Sequence, residues 1–220
     1  MALPRVLEPE VMDTLDEATD YDTMDHADVN RRFVDDLLAA GDVQGDVLDL
    51  GTGTAQIPVE LCRRHADCRV VATDMAVNML DLARYNIEIA GLMGRIRLEQ
   101  ADAKRLPYRD GDFSLVMSNS IVHHLPQPAV ALKEAVRVAA VGGRLFFRDL
   151  MRPESREQLE RLVDTYAAGA NEHQRKMFAD SLAAALTLDE IRALIASLGF
   201  NSNTVQPTSD RHWTWCAVKE

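Results

Sequence analysis

Aromatic residues are scarce in this chain of 220 residues. They make up 5% of it and include two tryptophans, too few for a surface on which nucleic-acid bases stack. An excess of positive charge is also missing. The formal net charge is −11, so the average field repels a phosphate backbone. The short run Arg63, Arg64, His65 reads as a solvated helix face. Cysteines number three, Cys62, Cys68 and Cys216. Their odd number and unpaired spacing exclude a disulfide framework and a zinc-type motif, and fit a reducing cytoplasm. No apolar run approaches the roughly 18 residues of a membrane span, and the opening "MALPRVLEPEVMD" lacks an apolar signal core. These absences leave a cytoplasmic globular protein with no nucleic-acid or membrane partner and no metal expected.

What is present is an alternation. The strand "DVLDL" (46–50) precedes a helix over 56–65, and "CRVVATD" (68–74) precedes a helix over 76–90. The strand "IRLEQAD" (96–102) leads through a polar loop to "FSLVMSNS" (113–120). A helix over about 128–139 and the strand "RLFFRDL" (144–150) complete the series. Near-continuous apolar strands alternating with helices imply a parallel sheet covered on both faces, an α/β fold. Ahead of it, residues 27–40 carry Val29, Phe33, Val34, Leu37 and Leu38 at helical spacing, while "EATDYDTMDH" reads as irregular. After Asp149 the rhythm breaks. Residues 153–185 read as two helices, with Pro153 in a first helical turn. Thr187 and Glu190 form a capping box opening a further helix. Segments 202–207 and 212–218 read as an antiparallel pair, with Trp213 and Trp215 on one face.

The stretch "VLDLGTGTAQ" carries the chemistry. Gly51 and Gly53 permit a tight turn and close approach of the backbone to a ligand. A pyrophosphate-binding turn needs glycine where Gln56 stands. The pattern D-x-G-x-G-x-G is met at Asp49, Gly51 and Gly53, with Ala55 replacing its last glycine. Asp49 beside a pyrophosphate costs repulsion, whereas beside an ammonium or sulfonium it gains attraction. Asp74 ends the second strand, where a carboxylate accepts from both hydroxyls of a ribose. Asp102 ends the third strand and suits an adenine amine, and the small Ala103 leaves room for the ring. Ligands of open α/β sheets sit beyond these strand ends.

With "VVATDMAVNMLDLAR", "EQADAKRLPYRDGDFSLVMSNSIVHHLPQP" and "VRVAAVGGRLFF", this stretch resembles the class I S-adenosylmethionine-dependent methyltransferases over residues 46–147. Within them it looks most like the ubiquinone- and menaquinone-biosynthesis type of small-molecule enzyme. The resemblance implies a Rossmann-like doubly wound sheet of seven strands, order 3-2-1-4-5-7-6, strand 7 antiparallel. It implies a single domain over 1–220. Its parts are an N-terminal cap (1–41), a cofactor-binding core (46–150), a helical lid (151–187) and a C-terminal helix with hairpin (188–220). It implies cofactor contacts at Asp49, Gly51, Gly53, Asp74, Met75, Asp102, Ala103, Ser118 and Asn119. Thr52 and Gln56 of the turn are counted with these.

The expected activity is methyl transfer from S-adenosyl-L-methionine to a small-molecule acceptor, leaving S-adenosyl-L-homocysteine. Alternatives are a methyltransferase acting on RNA or protein, a non-catalytic S-adenosylmethionine-binding protein, and an NAD-dependent dehydrogenase. Tyr21 and Met24 are expected to cover the cofactor's methionine end, Met24 also lining the acceptor site. His124, one helical turn beyond Ser120, is the favoured base or donor, with His123 and Asp149 as further catalytic candidates. Arg148, His173, Phe178 and His212 are candidates for the acceptor, with Arg175 and Arg211 near them. A homodimer is left open.

Overall fold

The computed structural model describes residues 3–9, 11, 13–23 and 27–220. Met24 lies outside them. The order of elements is α1 (Leu15–Thr23), α2 (Ala27–Ala39), β1 (Asp46–Leu50), α3 (Gln56–Arg64), β2 (Arg69–Asp74), α4 (Val77–Ile89), β3 (Ile96–Gln100), β4 (Phe113–Asn119), α5 (Pro128–Val138), β5 (Ala139–Leu150), α6 (Arg156–Tyr166), α7 (Glu172–Ala184), α8 (Leu188–Ser197), β6 (Val205–Pro207) and β7 (His212–Val218). Seven strands make one sheet in the order β3-β2-β1-β4-β5-β7-β6. β1 runs parallel to β2 and β4, and β6 runs antiparallel to β7. The sheet order expected from the resemblance is the one observed. No described helix is long and apolar enough to cross a membrane.

By their internal contacts the residues fall into two groups. The first comprises Val11–Asn119, Ala129–Phe147 and Cys216–Glu220. Its core joins Phe33, Val34 and Leu37 of α2 to Val47 and Val70 of the strands, Ile87 of α4, Met117 and Phe146. Phe33 meets Phe146 edge-on at 5.1 Å between ring centroids, the arrangement that aromatic quadrupoles favour. The second group comprises Met1–Glu10, Ser120–Pro128 and Arg148–Trp215. There Leu162 and Val163 of α6 pack with Leu182 of α7 and Leu150. Phe200 meets the buried Trp215 edge-on at 5.3 Å.

Several element boundaries differ from the sequence reading. "LDEATDYDT" is the helix α1, not irregular chain. Its apolar face is small, and its order comes from Ala18 packing with Ala76 and Met79. β5 begins at Ala139, five residues early, because Gly143 fits where a side chain would not. A Cβ there would stand 2.8 Å from the Ala140 carbonyl oxygen and 3.1 Å from that of Phe113. Pro153 lies ahead of α6, whose N-cap is Ser155, accepting from the Gln158 amide. Residues 202–204 form a 3-10 turn, so β6 starts only at Val205. The capping box of Thr187 and Glu190 is present as expected.

Candidate functional site

β1 delivers its chain to a turn built from left-handed residues. Gly51 has φ 67°, Gly53 φ 54° and Ala55 φ 60°. The turn is pinned to β2, since the Thr52 amide donates to the Thr73 carbonyl at 2.8 Å and the Thr73 hydroxyl to the Asp49 carbonyl at 2.9 Å. Ala55 therefore adopts the conformation of the glycine it replaces. α3 starts immediately after it, with Pro58 in the first turn, where its missing donor does no harm. The Tyr21 ring covers Gly53, its edge carbon 3.5 Å from where a Cβ would sit.

Tyr21, Gly51, Thr52 and Gln56 line an open cleft with Asn30, Asp49, Thr54, Ile57 and Asn119. Asp49 is 3% exposed. Burial pushes its carboxyl up to about 7, against the pull of the Thr52 hydroxyl, and nearby Asp74 adds to the rise. The Thr54 hydroxyl and the Asn119 amide oxygen are buried with no hydrogen-bond partner. Such atoms are costly unless a ligand satisfies them. The cleft thus offers a carboxylate that favours a cation and two polar atoms awaiting a partner, which fits the methionine end of S-adenosylmethionine.

Asp74 accepts from the Gly53 amide at 2.8 Å on one oxygen and from the Ala76 amide at 2.9 Å on the other. It serves as a structural clasp, with the Met75 amide as a third donor, and keeps one acceptor site for a hydroxyl. Burial raises its value despite these bonds. Asp102 lies in the turn after β3, two residues beyond the strand that was expected to contain it. The Lys104 amide (2.9 Å) and ammonium (3.0 Å) meet the same oxygen. Burial pushes Asp102 up, but these contacts outweigh it and hold the carboxyl low. Ala103 is buried and Met75 is 45% exposed. Gln56 takes part through a polar net, donating to Asp22 and accepting from Asn30, both at 3.0 Å. Ser118 spends its hydroxyl on the Leu50 carbonyl at 2.7 Å, so it holds β4 to β1 and offers the cleft no free donor.

The histidines sit in the other group of residues. Ser120 has φ 62°, and Val122–His124 form a 3-10 turn. The expected relation of His124 to Ser120 along one helical face therefore does not exist. His123 is buried, with Nδ1 2.5 Å from Asp149 and Nε2 3.4 Å from Glu8. Asp149 also accepts from the amides of Val122 (2.5 Å) and Leu150 (2.6 Å). Burial pushes His123 down, but Asp149 and Glu8 outweigh it and the net shift is upward. Asp149 is correspondingly held low by His123 and the amides against its burial. His124 lies over His123, ring centroids 4.2 Å apart. Burial and His123 push it down to about 3. Glu8 completes this cluster and carried no signal in the sequence, because 115 positions separate it from His123.

The acceptor candidates are dispersed among structural roles. Arg148 is buried and donates to Thr214 at 2.9 Å. His212 bonds Ser209 at 2.8 Å, and burial with Arg211 and Arg148 pushes it down to about 4. Phe178 packs on the α6–α7 core, His173 is exposed, and Arg175 pairs with Asp164 at 2.6 Å. Arg211 lies on the Tyr166 ring at 3.3 Å.

Residues 48–147 match the family pattern described as a methyltransferase domain. The chain is 31% identical over 192 residues to the malonyl-[acyl-carrier protein] O-methyltransferase of Geobacter sulfurreducens. That alignment spans 84% of this chain and 67% of that protein. The chain belongs to the S-adenosylmethionine-dependent methyltransferases. Another methyltransferase, the demethylmenaquinone methyltransferase of Deinococcus radiodurans, is 37% identical over 109 residues, covering 50% of this chain and 44% of that one. Apart from the Geobacter protein, the chain spans about half the length of the relatives it matches. Among solved structures, an S-adenosylmethionine-dependent methyltransferase from Aquifex aeolicus superposes with a TM-score of 0.69 at 16% identity. The match covers 94% of this chain and 99% of that one, a likeness of methyltransferase fold.

Proposed function

We propose that this methyltransferase binds S-adenosyl-L-methionine in the Asp49 cleft and transfers its methyl group to a small-molecule acceptor. The observation that carries the proposal is the buried Asp49 carboxyl, raised to about 7 just ahead of two left-handed glycines. A cation beside it recovers the desolvation cost that burial imposes, and an anion increases that cost. Tyr21 closes the cleft over Gly53, Asp49 faces the cationic methionine end, and Thr54 and Asn119 complete its polar contacts. Asp74 receives a ribose hydroxyl on its remaining acceptor site, and Asp102 with Ala103 and Met75 flanks the adenine.

When bound, the cofactor would supply an activated methyl carbon to the acceptor's nucleophilic atom, its sulfur keeping the electrons of the C–S bond. The chain's own task is alignment and exclusion of water. The base role expected of His124, His123 and Asp149 is not carried into this proposal. Asp149 and His123 are engaged with each other, and an imidazole at about 3 accepts a proton poorly at neutral pH. The segment 151–187 is assigned to the acceptor, with His173 among its exposed polar side chains. The relatives named above include an O-methyltransferase and a demethylmenaquinone methyltransferase, so carboxyl-bearing acyl groups and quinone-type rings are the acceptors to try first.

The test is to incubate the protein with S-adenosylmethionine and members of both acceptor classes, following S-adenosylhomocysteine and methylated product by mass spectrometry. Turnover with one class and none in the Asp49→Ala variant supports the reading. Turnover that survives Asp49→Ala refutes the role given to this carboxylate.

A further inference from the structure

We propose that Glu8, His123 and His124 form a binding site for a divalent transition metal of the zinc type. The donor atoms, one carboxylate oxygen and one nitrogen from each imidazole, lie within 4.8 Å of one another. Glu8 Oε1 stands 3.4 Å from His123 Nε2 and 3.2 Å from His124 Nδ1. Zinc bonds to such ligands of about 2.0–2.1 Å make a tetrahedron with edges of about 3.3 Å. Both measured separations match that edge.

The lone pairs are directed by what surrounds them. In the neutral imidazole, an Nδ1 proton shared with Asp149 leaves Nε2 as the acceptor facing Glu8. The Pro9 carbonyl accepts from the His124 ring, which leaves Nδ1 bare. Carboxylate and carbonyl partners of this kind fix the tautomer of metal-binding histidines. Glu8 uses its second oxygen to accept from Ser181 at 3.3 Å. Its first oxygen and His124 Nδ1 are buried and have no hydrogen-bond partner. Two buried acceptors facing each other are unfavourable, and a cation between them turns that into two bonds. Two imidazoles and one carboxylate are a donor set suited to zinc, leaving one vertex for water.

The site is held rigidly. Arg5 donates to the carbonyls of Ala184 (2.6 Å), His123 (3.1 Å) and Leu125 (3.0 Å), which ties the segment bearing Glu8 to the histidine turn. The Val6 amide donates to the Ala183 carbonyl at 3.1 Å.

The experiment is to treat the purified full chain with chelator, reload it with zinc, dialyse it and measure bound metal, then repeat with cobalt and record its visible absorption. The expected result is one zinc per chain and the strong bands of tetrahedral cobalt. Glu8→Gln and His124→Ala should each weaken zinc binding by at least about a hundredfold, beyond the range for outer partners of a ligand. His65→Ala, a histidine outside the cluster, should leave it unchanged. Calorimetric binding of S-adenosylhomocysteine, at residues apart from the cluster, confirms that each variant is folded. Retention of no zinc by the wild-type chain, or equal retention by wild type and both cluster variants, overturns the proposal. Neither outcome bears on cofactor binding at Asp49.

Discussion

At Asp49 the carboxyl is held near neutrality by burial, and the sign of its pH dependence follows. Its folded value of about 7 lies above the ordinary 3.8. The stability it contributes is therefore full below 3.8 and is lost as pH rises through 7. A cationic ligand has the opposite preference, for the ionised form. Affinity for S-adenosylmethionine should rise about tenfold between pH 6 and pH 8, as the ionised fraction grows from about a tenth to nine tenths. Calorimetry in buffers of different ionisation heat should show proton release at pH 6, and Asp49→Asn should abolish both effects. A flat profile in the wild type would remove the cation from this carboxylate. Asp74→Ala should weaken cofactor affinity by roughly 1.5–3 kcal/mol, the scale of hydrogen bonds to charged groups. It should also lower the melting temperature, since the Gly53 and Ala76 amides lose their acceptor. Titration and thermal unfolding of the same variant separate the two losses.

At the scale of elements, the turn between β1 and α3 contains a local conflict. Ala55 occupies the left-handed region at φ 60°, which costs an L-residue roughly 1–2 kcal/mol. Glycine removes that cost but gives the unfolded chain more freedom, worth roughly 0.5–1 kcal/mol. Glycine also gives up the buried Ala55 methyl, worth about 0.8 kcal/mol, so Ala55→Gly should leave the stability read from urea unfolding within about 1 kcal/mol of the wild type, and a clearly larger loss would contradict the strain. Thr187→Ala, which removes the α8 cap, should cost about 1 kcal/mol by the same measurement. The capping box was legible because its two residues sit three apart. The turn at Gly51 and Gly53 was legible because few backbones other than glycine make it. The helix α1 was not, because "LDEATDYDT" has almost no apolar stripe and its order depends on Met79, far away in sequence. The start of β5 was also hidden, since a double glycine reads as a stop and here admits close neighbours.

At the scale of the whole molecule, the alternation of strands and helices over 46–150 made the sheet legible, and the family's motifs supplied its strand order. The cleft around Asp49 followed because Asp49 and Asn119 fall toward the ends of neighbouring strands. The histidine cluster did not follow, because Glu8, His123 and Asp149 meet only through tertiary structure. Ligand binding to the folded state should stabilise the whole chain by about 2.7 kcal/mol at a cofactor concentration one hundred times Kd. For a chain of this length that is a rise in Tm of about 5–10 °C, visible in a thermal scan. Asp49 and Asp74 are held to select a cationic adenosine compound over an anionic dinucleotide, and the decisive measurement is calorimetric titration of the wild-type chain with S-adenosylmethionine and with NAD. Saturable heat at one equivalent is expected for the first and none for the second. Tight binding of NAD with no heat from S-adenosylmethionine would overturn the assignment of both carboxylates.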